Sequence, residues 1–303
     1  MGKNVLITGG SGFIGKELTK LLKDKGYEIS WLSTTLNSSS EVKVYNWNVK
    51  RKSIDERALE NADYIIHLAG ANIGEKRWTR ERKEEIVDSR VKSAEMLYYS
   101  LKSNKHNVKA VISASAVGYY GDTGDKTMSE EAVAGFDFLA NTCRQWEHAI
   151  NKIGELGIRT VNIRNGVVMS AKGGALPVMM TPIKLLVGAP LGTGEQWVSW
   201  IHLEDLCKIY LKAIEDESMK GPFNGVTPNP VTNKELTKLI AKSLDKPLWL
   251  PPIPASVLKT ILGEKASLVL TSCKVSASKI LNTGIEFKYP VLEEALSVEI
   301  KKE

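Results

Sequence analysis

Along the first two-thirds of the chain, short runs rich in β-branched residues alternate with longer stretches of helical pattern. The strand-like runs read NVLIT, YEISWLS, VKVYNW, DYIIHLA, VKAVISAS and IRTVNIR. Between several of them lie amphipathic stretches, notably Phe13 to Lys25, Arg80 to Ser103 and Phe138 to Leu156. This alternation predicts βαβ units: an α/β fold, with a Rossmann-like doubly wound parallel sheet covered by helices on both faces. After about Val168 the pattern changes. Gly and Pro become frequent in AKGGALPVMMTP, VGAPLGTGEQ, KGPFNGVTPNPV and LWLPPIPAS, which read as irregular segments and short helices. The stretch HLEDLCKIYLKAIEDE is again a good helix, expected to pack back on the sheet. The expected division is therefore a nucleotide-binding domain over 1–167, rejoined by 201–224, and a smaller, discontinuous substrate lobe from 168–200 and 225–303.

Composition narrows the function classes. At 303 residues, with 25% charged and 43% apolar positions, the chain has the balance of a soluble globular protein. No apolar run approaches the roughly 20 residues needed to cross a bilayer, and MGKNVLITGG lacks a secretory h-region. The formal charge of +6 suits phosphate-bearing ligands, but its Lys and Arg are interleaved with Glu, as in KRWTRERKEEIVDSR. That reads as a solvated helix face, not a nucleic-acid stripe. Three widely spaced cysteines give neither a disulfide framework nor a zinc site. A cytoplasmic protein acting on a small molecule is expected, with no membrane, nucleic-acid or metal partner; a homodimer stays open.

The candidate chemistry begins at VLITGGSGFIG, a strand, a glycine-rich turn and a helix start. Gly9 permits the tight turn, Gly12 lets the backbone approach a pyrophosphate, and Gly15 lets the helix lie close to the strand. Phosphates would then meet the helix N-terminus, beside Ser11, Phe13 and Ile14. At the end of the second strand, WLSTTLNSSS carries no acid to repel a 2′-phosphate, and Ser33 and Thr34 can donate to one. This favours NADP(H) over NAD(H), although a hydroxyl anchors phosphate more weakly than a guanidinium. Asn48 reads equally as an adenine contact or a turn residue. The small residues of HLAGAN, Leu68 to Gly70, leave room for a cofactor.

TGGSGFIG, HLAGANI, SASAVGYYGD, NIRNGVV and WIHLEDL together resemble an extended short-chain dehydrogenase/reductase. The further combination of KRWT, SRV, QWE, LPPIPA and GEKASLVL is similar to the atypical epimerase-family members that carry a small C-terminal domain. The resemblance implies NADP(H) contacts at the glycine loop, Ser33, Thr34, Leu68, Ala69, Glu85, Arg90 and Val167. Relatives often carry a basic residue where this chain has Thr34. The bland reading of Arg90 is a surface residue paired with Glu85 or Glu95.

In that superfamily a Tyr and a Lys four residues apart share one helix turn, and a Ser from the fifth strand orients the substrate. Ser115 matches the serine. With Glu147 as the family's helix glutamate, however, the tyrosine position falls on Leu139 and the lysine position on Cys143; Lys126 and Lys152 are off the motif. An unassisted tyrosine titrates near ~10 and is a poor base at neutral pH. Three readings follow. Tyr119 or Tyr120 takes over proton transfer beside Ser115, with Arg164 or His202 supplying charge. Alternatively, the reaction needs little acid–base help or uses Cys143, whose bland reading is an inert buried thiol. Or the chain is a catalytically silent NADP(H)-binding redox sensor. Trp197 and Trp200 offer either a flat wall for a sugar ring or hinge packing.

Overall fold

A computed structural model describes residues 3–35 and 42–301. Seven strands build the main sheet: β1 Asn4–Thr8, β2 Glu28–Ser33, β3 Lys43–Asn48, β4 Tyr64–His67, β5 Ala110–Ala116, β6 Arg159–Asn165 and β7 Gly221–Gly225. Their spatial order is β3-β2-β1-β4-β5-β6-β7, all parallel, and a two-residue antiparallel strand, Ser53–Ile54, closes the β3 edge. The order reverses between β1 and β4, so the crevice for a ligand opens at their carboxyl ends. The fold is the predicted doubly wound α/β type.

One strand was not legible as such. The stretch GPFNG, read from its Gly and Pro as irregular, is β7. It pairs only with β6, at the sheet edge, where the proline's missing N–H breaks no ladder bond.

The helices follow their apolar spacing. In α1, Phe13–Asp24, the buried positions are Gly15, Leu18, Thr19 and Leu22, one stripe at i, i+3, i+4 and i+7. The long helix α2, Arg80–Ser103, is capped by Thr79 Oγ1, which accepts from Arg82 N at 3.2 Å. Helix α3, Phe138–Asn151, is capped by Asp137, which accepts from Ala140 N at 2.8 Å. Beyond β6 come α4 Ala175–Lys184, α5 Leu203–Glu215, α6 Asn233–Ser243, α7 Ala255–Leu262 and α8 Leu292–Ile300. Helix α5 packs back on α1 and β5, and α2 packs on α3. Central β4 is buried along its whole length; Ile65 and Ile66 each contribute about 1.5–3 kcal/mol of burial.

A second hydrophobic cluster forms around Met169, Leu176, Met180, Trp200, Leu236, Ile240, Leu292 and Leu296. The segment HLED clamps the C-terminal segment to the sheet. His202 Nε2 lies 3.0 Å from Glu299 Oε1, Glu204 accepts from Lys288 Nζ at 2.7 Å, and Asp205 accepts from the Lys288 and Tyr289 backbone N–H groups, each at 2.8 Å. Burial opposes the Glu299 charge, but bonds from His202, the Ala171 amide and Ser170 outweigh it and hold the carboxyl down to about 2. A depressed folded-state pKa gives stability that is full above the ordinary value near 4.5 and is lost as pH falls towards 2. In scanning calorimetry the gap in Tm between wild type and Glu299→Gln should therefore be widest above about pH 5 and narrow steadily below it. A pH-independent gap would remove Glu299 as the source.

Candidate functional site

The glycine loop is shaped by close backbone approaches. Gly9 has φ +71°, and a Cβ there would lie 3.0 Å from the Leu68 carbonyl carbon, so the loop is drawn against the end of β4. A Cβ on Gly15 would meet Gly9 O at 2.5 Å and Gly10 Cα at 2.6 Å. Gly10 is equally constrained, because the Trp31 ring occupies its side-chain space at 2.3 Å. Ser11 and Gly12 are exposed, and no side chain caps α1 at Gly12. Its first-turn N–H groups are thus available to an anion, and the cradle fits a pyrophosphate. Phe13, half-buried, packs against Gly173 and Gly174, and Ile14 is half-buried beside it.

The loop after β4 is held from two sides. Thr8 Oγ1 accepts from the amides of Leu68 and Ala69, each at 3.2 Å, and lies 2.8 Å from His67 Nδ1. His67 Nε2 lies 3.2 Å from Ser93 Oγ, and burial, followed by the Arg90 charge, drives His67 down to about 3. The imidazole is neutral at physiological pH. The Ser89-Arg90 pair grips Ala71 at both backbone groups: Ser89 Oγ accepts from its N–H at 2.9 Å, and Arg90 Nη2 donates to its carbonyl at 3.1 Å. The Arg90 guanidinium lies 3.0 Å from where a Gly70 Cβ would be and over the Trp146 ring, and pairs with neither Glu85 nor Glu95. Glu85 is exposed and takes Arg82 at 2.6 Å.

At the second strand's end, Ser33 Oγ accepts from Thr35 N at 3.2 Å, which leaves its proton to donate, and Thr34 is exposed. The remainder of the serine-rich stretch, 36–41, lies outside the described residues. Asn48 accepts from Arg51 N at 3.0 Å, the turn reading.

At the ends of β5 and β6 the sequence-predicted residues meet in a buried network. Ser115 Oγ donates to Glu147 Oε1 at 2.6 Å, and Arg164 donates to both Glu147 oxygens, Nε and Nη2 at 2.8 Å each. Arg164 Nη1 also donates to the Tyr120 hydroxyl at 3.0 Å, and that hydroxyl donates to Asn224 Oδ1 at 2.6 Å. Burial opposes the Arg164 charge, yet Glu147 and Tyr120 raise its pKa above the ordinary guanidinium value. Tyr120 is only 3% exposed and burial pushes it up to about 12, so it is excluded as a neutral-pH base. Tyr119 is half-buried, with the Arg164 guanidinium 3.5 Å from its ring centroid.

Leu139 faces this turn, 3.4 Å from a Gly118 Cβ position, so the family's tyrosine position does point at the end of β5. Cys143 is buried; desolvation, then Glu147, pushes its thiol up to about 12. It is inert as acid or nucleophile at neutral pH.

Three substrate candidates are corrected. Arg164, 2% exposed and fully engaged, positions its neighbours instead of meeting a ligand. His202 is completely buried, with Nε2 on Glu299 and Nδ1 accepting from Glu204 N at 3.2 Å. Trp197 has Lys274 Nζ 4.0 Å from its ring centroid and donates Nε1–H to Asp125, so that face is covered. Trp200 is core, and Val167 pairs through its amide with Ser199 O. Reading residues singly missed Glu147 as the partner of both Ser115 and Arg164, and Asn224 and Glu130 at the network's far end. QWE in an amphipathic helix was the available signal.

Residues 5–224 match the NAD dependent epimerase/dehydratase family, and residues 253–298 match a domain of unknown function (DUF1731). The chain belongs to this epimerase/dehydratase family. It is 38% identical over 296 residues to the epimerase family protein YfhF of Bacillus subtilis, covering 97% of each chain. Among solved structures it resembles the human epimerase family protein SDR39U1 (isoform 2) with NADPH, at TM-score 0.88 and 29% identity, covering 99% of this chain and 100% of that one. It also resembles the nucleoside-diphosphate sugar epimerase from Corynebacterium glutamicum, at TM-score 0.82 and 33% identity, covering 100% of this chain and 59% of that one. The family is one of nicotinamide-dinucleotide-binding proteins. Among the described residues no cluster of His, Cys, Asp and Glu is arranged to hold a metal, and no helix is long and apolar enough to cross a membrane.

Proposed function

We propose that this chain is an NADP(H)-dependent oxidoreductase or epimerase of the extended short-chain type, acting on a small molecule, with its acid–base group displaced from the usual helix pair to Tyr119. The observation that carries the proposal is the Arg164 guanidinium on the Tyr119 ring while the same side chain anchors Glu147, the partner of Ser115. The bound dinucleotide supplies the hydride donor or acceptor. The chain's own residues orient and handle the proton. Ser115 spends its proton on Glu147, so its oxygen accepts from a substrate hydroxyl. The Tyr119 hydroxyl has no hydrogen-bond partner among the described residues, which leaves it for a ligand. The glycine loop and the Ala71 grip hold the dinucleotide. The acid-free WLSTT and a structural neighbour crystallised with NADPH support NADP(H) over NAD(H).

Leu139 and the inert Cys143 favour a second reading: a protein that binds NADP(H) and reports redox state without turnover. Turnover separates the two. NADPH absorbance is followed against sugar nucleotides, aldehydes and ketones for wild type, Ser115→Ala and Tyr119→Phe. The enzyme reading expects one substrate class to be turned over, with both variants slowed by about 10²–10⁴-fold. A slow background that neither variant changes, on every compound, supports the sensor.

A further inference from the structure

We propose that the exposed hairpin tip Lys50-Arg51-Lys52 is the subsite that reads the 2′-phosphate of NADP(H), taking the place of a cation at the end of β2. This rests on the nicotinamide-dinucleotide reading above. The strand end that faces the adenosine ribose in a doubly wound sheet carries only hydroxyls here, at Ser33, Thr34 and Thr35. Those groups can orient a phosphate dianion, but they do not neutralise it.

Three cations stand one strand away. Parallel pairing sets Ser33, the last residue of β2, opposite Asn46, about 4.8 Å away across the ladder. Asn48 is two residues further on, about 7 Å along β3. There the chain turns: Asn48 accepts from Arg51 N, Lys52 N donates to Val49 O, and the strand returns antiparallel with Trp47 opposite Ile54. The turn holds Lys52 at φ +51°, a left-handed conformation costly for a residue with a side chain.

Lys50, Arg51 and Lys52 are all exposed, and none is paired with a carboxylate among the described residues. The nearby acids are committed elsewhere, Asp55 to Arg57 and Glu85 to Arg82. Lys50 is among the charges that help hold the exposed Glu85 carboxyl below its ordinary value, after its partner Arg82. A 2′-phosphate placed beyond Ser33 would thus have hydroxyl donors on one side and positive charge on the other. The 2′-hydroxyl of NAD(H) gains nothing from that charge.

The test is calorimetric titration of wild type and of Lys50→Gln/Arg51→Gln/Lys52→Gln with NADPH and NADH, with 2′,5′-ADP and 5′-AMP as adenosine-side probes. The substitutions are on the surface, and circular dichroism checks that the variant folds. The expected result is an NADPH and 2′,5′-ADP affinity about 10–100-fold lower in the variant, with NADH and 5′-AMP affinity changed less than about twofold. A wild type that prefers NADPH and a variant that keeps the preference overturns the hairpin assignment alone. Equal losses for both dinucleotides overturn it too. A wild-type chain that binds neither dinucleotide overturns the cofactor reading, and this subsite with it.

Discussion

Gly12→Asp is expected to leave the fold intact and to weaken NADPH binding by about a thousandfold. Gly12 is the N-cap of α1, with φ −70° and ψ 168°, an extended conformation open to any residue. A Cβ there meets only Gly9 O, at 3.2 Å. Asp is among the preferred N-cap residues, because its carboxylate accepts the first-turn N–H groups and complements the helix dipole. The variant should therefore melt no lower than wild type. The same carboxylate occupies the donors a pyrophosphate needs and adds a charge of the same sign. At about 4 Å and an effective dielectric near 20, that repulsion is about 4 kcal/mol, or roughly a thousandfold in affinity. Tm and calorimetric titration together decide the matter: unchanged NADPH affinity would sink the assignment of the cradle. Gly15→Ala makes the contrast, since its Cβ runs into the backbone of Gly9 and Gly10 and should cost stability first.

The glycine loop was legible in the sequence because its logic is local: strand, turn and helix within about a dozen residues carry the whole pattern. The sheet was legible for a related reason, since strands such as NVLIT and YIIH are short runs dominated by apolar and β-branched residues. Legibility failed where local composition and tertiary role part company. GPFNG looks like a turn and is a strand only because β6 offers it an edge. The buried network was invisible for the opposite reason. Ser115 meets Glu147 across 32 positions, and Tyr120 meets Asn224 across 104. No periodicity encodes such contacts, so Arg164 and His202, polar residues beside conspicuous motifs, read as ligand-facing when each is buried against a carboxylate from another element. The Leu139 and Cys143 departures were visible by register; the guanidinium stacked on Tyr119 was not.

That buried pair carries the second large expectation. Glu147→Ala should lower stability by about 3–5 kcal/mol, a fall in Tm of roughly 5–8 °C, through loss of a single carboxylate. Glu147 and Arg164 side chains are 8% and 3% exposed, so the guanidinium left behind keeps a charge that water cannot reach and loses two of its hydrogen bonds. Ser115 loses its acceptor at the same moment. The magnitude reflects the stranded charge, not the worth of the pair, and the double variant Glu147→Met/Arg164→Met separates the two. Removing both charges and filling the space with apolar atoms should recover most of the lost stability, because an intact buried pair only roughly balances its own desolvation. If Glu147→Ala melts within about 2 °C of wild type, the site is wetter than its geometry shows and Arg164 is not held by Glu147. If instead the double variant is stable while Tyr119 loses its effect on turnover, the pair serves to hold the Tyr119 ring in place beside Ser115.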